Sequence, residues 1–101
     1  MGAINQISGA GGNDVLATGT YKISDGTLKK KIFAVETAGS DSQISLVKID
    51  SGNGGLKQLG ASDFAWLATG NLTADMGFMT FGNPVEEITI GIAACKVWYS
   101  I

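Results

Sequence analysis

From Val15 onward the chain divides into short segments in which apolar and polar residues alternate with a period of two. Val15, Ala17, Tyr21 and Ile23 alternate with Thr18, Thr20 and Lys22, the pattern of a strand with one wetted face. Ser24-Asp25-Gly26-Thr27 follows as a hairpin turn of the Asp-Gly type. The run Ile32-Phe33-Ala34-Val35 predicts a strand covered on both faces. In residues 43–50 the phase slips: Ile44 and Leu46 share one face, Val47 and Ile49 the other. Such a slip is the signature of a bulge or of a strand buried on both sides. Beyond Ser51-Gly52-Asn53-Gly54-Gly55, residues 56–59 form a short strand paired across that tract.

Residues 61–69 hold Phe64, Trp66 and Leu67 and read as a strand. Ser62 as a helix cap and the Phe64/Leu67 spacing supply a competing helical argument. Residues 76–81 form a short apolar strand. At the end, Glu86, Ile88, Ile90 and Ile92 alternate with Glu87 and Thr89. Cys95, Val97, Tyr99 and Ile101 then alternate with Lys96, Trp98 and Ser100. These two arms predict an antiparallel hairpin across residues 91–94. Seven to eight short strands at about ten-residue spacing predict an all-β fold, a small antiparallel β-sandwich or jelly-roll-like barrel. Residues 1–14 are mostly Gly, Ala, Ser and Asn, with Ile4 and Ile7 as large apolar anchors. They read as a flexible N-terminal arm ahead of a single β domain over 15–101.

Composition narrows the chemistry. The 101 residues suffice for one core, with about 64% of the unfolded surface buried on folding. Apolar residues make up 45% and charged residues 16%, the reverse of a disordered chain. There is no His and no Arg in the sequence. The usual proton shuttle, the commonest zinc ligand and the bidentate fork for phosphate or guanine are therefore missing. With a net charge of −2 and one basic run, Lys29-Lys30-Lys31, no nucleic-acid partner is expected; the triplet reads as a solvated lead into a strand. Cys95 has no second Cys for a disulfide and no His to activate it, so it reads as a small buried hydrophobe. Residues 1–14 lack the basic and apolar regions of a secretory signal, and no apolar run approaches about 18 residues. No signal peptide and no membrane span are expected.

The remaining motifs are weak. Residues 9–19, Gly-Ala-Gly-Gly-Asn-Asp-Val-Leu-Ala-Thr-Gly, resemble one calcium-binding nonapeptide of the β-roll kind. That chemistry shares each ion between stacked copies, and the chain has one, so the tract reads as a turn before the first strand. Asn71-Leu72-Thr73 is a formal glycosylation sequon. Adjacent Glu86 and Glu87 point to opposite faces of a strand and form no catalytic pair. Asp63 and Asp75 read as loop caps. No catalytic residue, metal site, cofactor or enzymatic role is expected.

Trp98 and Lys96 lie on the face opposite Cys95, Val97 and Tyr99. If the latter set is the core, Trp98 is either covered by another subunit, an interface position to which Ile4 and Ile7 would add, or covered on its second face within one chain.

Residues 61–101, ASDFAWLATGNLTADMGFMTFGNPVEEITIGIAACKVWYSI, resemble small all-β virion proteins of bacteriophages, of the capsid-decoration, spike or head-fibre kind. An apolar strand leads through Asn-Leu-Thr to a second strand. Phe-Gly-x-x, an Ile-x-Ile strand, a tight turn and a closing Val-x-Tyr strand follow. Trp98 and the final Ser-Ile depart from that pattern. The resemblance implies self-association, attachment to other capsid proteins, a place in the virion after synthesis in the host cytoplasm, and no catalytic residues. The alternative is a lectin-like β-sandwich in which Trp66, Trp98 and Tyr99 line a glycan site.

Overall fold

A computed structural model of the chain describes residues 10–100, and within them most of the alternating segments are strands; the segment Val15 to Ile23, read as one strand, is divided at Ala17-Thr18 between two strands with different partners. In chain order the strands are β1 (Ala10–Leu16), β2 (Gly19–Lys22), β3 (Ile32–Thr37), β4 (Ser42–Asp50), β5 (Leu56–Gln58), β6 (Asn71–Leu72), β7 (Met79–Ile92) and β8 (Cys95–Ser100). Two single 3-10 turns, Ala65–Ala68 and Ala74–Met76, interrupt the series. The protein is all-β, and every strand pair is antiparallel. No helix among the described residues is long and apolar enough to cross a membrane.

The strands form one sheet in the order β1-β8-β3-β7-β4-β5, with β2 added to β7 and β6 to β4. The long strand β7 organises it. Its first part pairs with β3, through Met79 opposite Val35 and Val85 opposite Ile32. Its second part pairs with β4 on one side and β2 on the other. Residues of both parts bury into one core. Ile32, Val35, Cys95 and Val97 come from the β3–β8 side, and Ile44, Val47, Ile88 and Ile90 from the β4–β7 side. The sheet therefore folds over on itself like a sandwich, and β7 belongs to both layers. Each of these large side chains contributes about 1.5–3 kcal/mol by leaving water.

The bend in β7 has a local cause. Between Thr80 and Val85, four residues stand against the single residue Phe33 of β3. Gly82 within this stretch has φ +80°, a conformation that favours glycine. Pro84, which lacks a backbone N–H, occupies a place where the ladder is already broken. The sequence reading of two strands, 76–81 and 86–92, is corrected to one bulged strand. The bulge expected in residues 43–50 is present, as β4 shifts register against β7 on both sides of Ile44; the grouping of faces is corrected, because Ile44 joins Val47 and Ile49 in the core while Leu46 stands opposite outward Thr89. β5 pairs with β4 across the Gly-rich tract, also as expected.

Four other expectations are corrected. Residues 91–94 do not close a hairpin, because β8 pairs with β1 and β3 and never with β7. They form an arch from one layer to the other, with Ala93 at φ 58°. Ser42, at the start of β4, fastens the arch by donating its Oγ hydroxyl to the Ile92 carbonyl at 2.9 Å. The Asp25-Gly26 turn does not reverse the chain either. β2 and β3 lie end to end along the same side of β7, and residues 23–31 are an excursion between them. The amide of Leu28 bonds the Lys22 carbonyl at 2.9 Å, and its side chain is buried in the core. Residues 61–69 contain a 3-10 turn instead of a strand, with Phe64 in the capping position where Ser62 was the candidate. Finally, residues 10–14, placed in the arm and the pre-strand turn, belong to β1, which pairs with β8 from Ala10 opposite Ser100 to Leu16 opposite Cys95. The rest of the arm, with Ile4 and Ile7, lies outside the described residues.

Candidate interaction surface

The outer faces of the two layers differ in chemistry. On the β2–β7–β4 layer, Lys22, Glu87 and Lys48 stand in one cross-strand row, and Lys48 Nζ lies 3.9 Å from Glu87. In a neighbouring row Thr20 and Thr89 join their hydroxyls at 2.9 Å. These rows are polar except for Leu46, which stands opposite Thr89, and the layer also carries exposed Leu56 and Ile92.

The outer face of the β1–β8–β3 layer is aromatic. Trp98 stands between Asn13 of β1 and Ala34 of β3, and Thr80 of β7 follows in the same row. Its ring meets Phe78 edge-on at 5.6 Å between centroids, and Phe78 meets Phe33 at 5.7 Å. Edge-on rings set positive ring edges against negative faces, a favourable arrangement at these separations. Phe33 reaches the group because it is the extra residue of a bulge in β3, with Ile32 opposite Tyr99 and Ala34 opposite Trp98. Lys96 Nζ lies 4.9 Å from the Trp98 centroid, within cation–π range. The indole N–H donates to the Glu36 carboxylate at 2.6 Å. Trp98 is therefore only 6% exposed, and side chains of its own chain cover it. Of the two alternatives for Trp98, the structure has the second: the last strand is covered on both faces within the chain. The apolar surface left open is shifted to its neighbours, Phe78 at 36% and Val15 at 58% exposed.

On the inner face of the same strand, Tyr99 donates its hydroxyl to Asp14 at 2.9 Å. Burial first, and the neighbouring Asp14 second, push the phenol up to about 12. Burial likewise raises the Cys95 thiol to about 12, and its Sγ sits 3.4 Å from the Glu36 carbonyl. A thiol held protonated in the core is a poor nucleophile.

Trp98 and Tyr99 thus project to opposite faces of β8. Trp66 packs instead beside Phe81, 6.2 Å between centroids, with its indole N–H buried and without an acceptor among the described residues. The three aromatic residues of the glycan reading do not form one site, and that grouping is corrected. Two open clefts, of about 270 Å³ beside Asn71, Thr73 and Ile92 and about 310 Å³ beside Lys31, Asn83 and Glu86, include none of the three. The carboxylates occupy structural posts. Asp63 accepts from the Gly60 amide at 3.0 Å, a bond that lowers its pKa. Asp75 bonds the Thr73 hydroxyl. Glu86 pairs with Lys31 at 3.3 Å. No group of three potential metal-binding side chains is present among the described residues.

The chain matches no protein-family model, no curated protein and no solved structure. Its surface is then the direct guide to function. Sequence reasoning found Trp98 and Lys96 and missed Phe33, Phe78 and Val15. The alternation of Phe78 and Thr80 with Met79 and Phe81 could have marked Phe78 as outward-facing. The bulge that turns Phe33 has no counterpart in the pattern.

Proposed function

We propose that this protein is a non-enzymatic structural component that associates with copies of itself, decorates a bacteriophage capsid, or does both. The observation that carries self-association is the β1–β8–β3 face, where an aromatic cluster leaves Phe78 partly open and Val15 is exposed at the edge, with Lys96 and Glu36 between them. Exposed apolar surface of this kind marks contact sites. The low charge of the chain, net −2, leaves little repulsion between copies. The capsid reading rests on the resemblance of residues 61–101 to phage virion proteins. Sedimentation of the purified protein over a concentration series tests self-association, and binding to phage particles lacking their decoration proteins tests the capsid role. A monomer at every concentration that binds no particle would reject the proposal.

A further inference from the structure

β1 is a different kind of edge from the others. It is seven residues long, contains no Lys and no Pro, and among the described strands pairs only with β8. β5, at the opposite end of the sheet, has three residues and carries Lys57. β2 has four and ends in Lys22. Short length and lysine are the usual protections of an edge against pairing with another chain, and β1 lacks both; its own protections are the bulge before Asn13 and one inward charge, Asp14. Its one irregularity, between Ala10 and Asn13, leaves residues 13–16 regular. Val15 lies in the outward row of Lys96 and Glu36, so exposed apolar surface reaches this edge. The chain before Ala10, nine residues that include Ile4 and Ile7, also joins the molecule here.

We propose that the outer edge of β1, which no described strand covers, is the seam of a two-fold dimer, in which β1 of a second copy pairs antiparallel with it and the sheet continues across the two molecules. This deepens the self-association reading and rests on it. Residues opposite one another in an antiparallel pair share a face, so outward Val15 must meet an outward residue and Asp14 an inward one. Two registers satisfy this near the middle of the regular stretch. One sets Asp14 against Asp14 of the second copy, and like charges directly opposite are unfavourable. The other sets Val15 against Val15, and Asp14 against Leu16. The second register is the one selected. In it the two Asp14 residues move apart to diagonal positions about 7–8 Å from one another, which weakens their repulsion, and the two Lys96 residues stand three strand spacings apart, about 14 Å.

The test is a Val15→Cys variant under mild oxidation. Opposed residues in an antiparallel pair have Cα atoms about 4.5–5.5 Å apart, within disulfide range. The native Cys95 is fully buried and serves as a silent background. Val15→Cys should form a covalent dimer at least tenfold faster than Ile92→Cys, which alters an equally exposed apolar site elsewhere. Val15→Lys should raise the dimer dissociation constant at least tenfold while leaving the thermal unfolding of the monomer nearly unchanged, because the side chain is already in water. Equal cross-linking at the two sites, or unchanged association of Val15→Lys, overturns the seam. If the wild type associates while Val15→Lys associates equally well, the seam is wrong and self-association stands. If the wild type stays monomeric throughout, self-association and seam both fall, and capsid decoration alone is left.

Discussion

Trp98 packs against three groups of different chemistry: the Phe78 ring, itself backed by Phe33, the Lys96 ammonium and the Glu36 carboxylate. With the ring packed inside its own chain, replacing it acts on stability first. Trp98→Ala should lower the unfolding free energy by about 3 kcal/mol, toward the low end for a buried aromatic because part of the cluster borders water. Trp98→Phe keeps most of the ring and loses the bond to Glu36, for about 1 kcal/mol. Urea titration followed by circular dichroism measures both, and a Trp98→Ala loss under about 1 kcal/mol would show that the cluster does not hold the fold. Cys95 and Tyr99 make a prediction about alkaline pH. Both are neutral when protonated, and the fold raises them from 9.0 and 10.0 to about 12. Between those values the folded chain binds more protons than the unfolded chain, so stability falls as pH rises. Their contribution is fully present below pH 9 and disappears progressively toward pH 12. The urea midpoint should decline over that window, and Tyr99→Phe should flatten the part above pH 10.

At the level of elements, two glycines with the same backbone hand separate strain from collision. Gly70 has φ +76°, and its carbonyl accepts the Ile44 amide at 2.7 Å. A Cβ there would lie 2.2 Å from the Ile44 carbonyl oxygen, a backbone atom with no freedom to withdraw. Gly82 in the β7 bulge has φ +80° and open space around it. Gly82→Ala should cost about 1 kcal/mol, the penalty of a left-handed alanine. Gly70→Ala carries that penalty and must also break the approach of the 65–70 turn to β4, so it should lose at least about 3 kcal/mol or fail to fold. Thermal melts of the two variants side by side test the assignment, and equal losses would contradict it.

Across the whole molecule, the pairings join distant parts of the chain. Ala10 pairs opposite Ser100, β2 sits beside the end of β7, and β3 is held between β7 and β8. Loop closure must precede almost every ladder, so folding should take milliseconds to seconds. Stopped-flow fluorescence of Trp66 and Trp98 can follow the two ends of the process: Trp66 beside Phe81, and Trp98 on the strand that β1 completes. Folding in microseconds would show that local contacts dominate.

The sequence by itself determined where strands exist and which residues point inward. Alternation of Ile88 and Ile90 with Glu87 and Thr89, or of Cys95 and Val97 with Lys96, follows from the two-residue period of an extended chain, a local property. The phase slip in β4 and the buried fate of Cys95 were legible for the same reason. Partners were not. The alternation of 86–92 and 95–100 is the same whether the two arms pair with each other or lie in different layers, and the arch at Ala93 became visible only with β1 and β3 in place beside β8. Likewise the segments 76–81 and 86–92 read as separate until β3 is seen to pair with β7 on both sides of Pro84. The candidate surface divides in the same way. That Trp98 faces away from Cys95 is written in the spacing of two residues along one strand. That Phe78, backed by Phe33, closes over it with Lys96 and Glu36, while Val15 stays open at an edge no described strand covers, depends on segments from four parts of the chain, and only the tertiary structure brings those together.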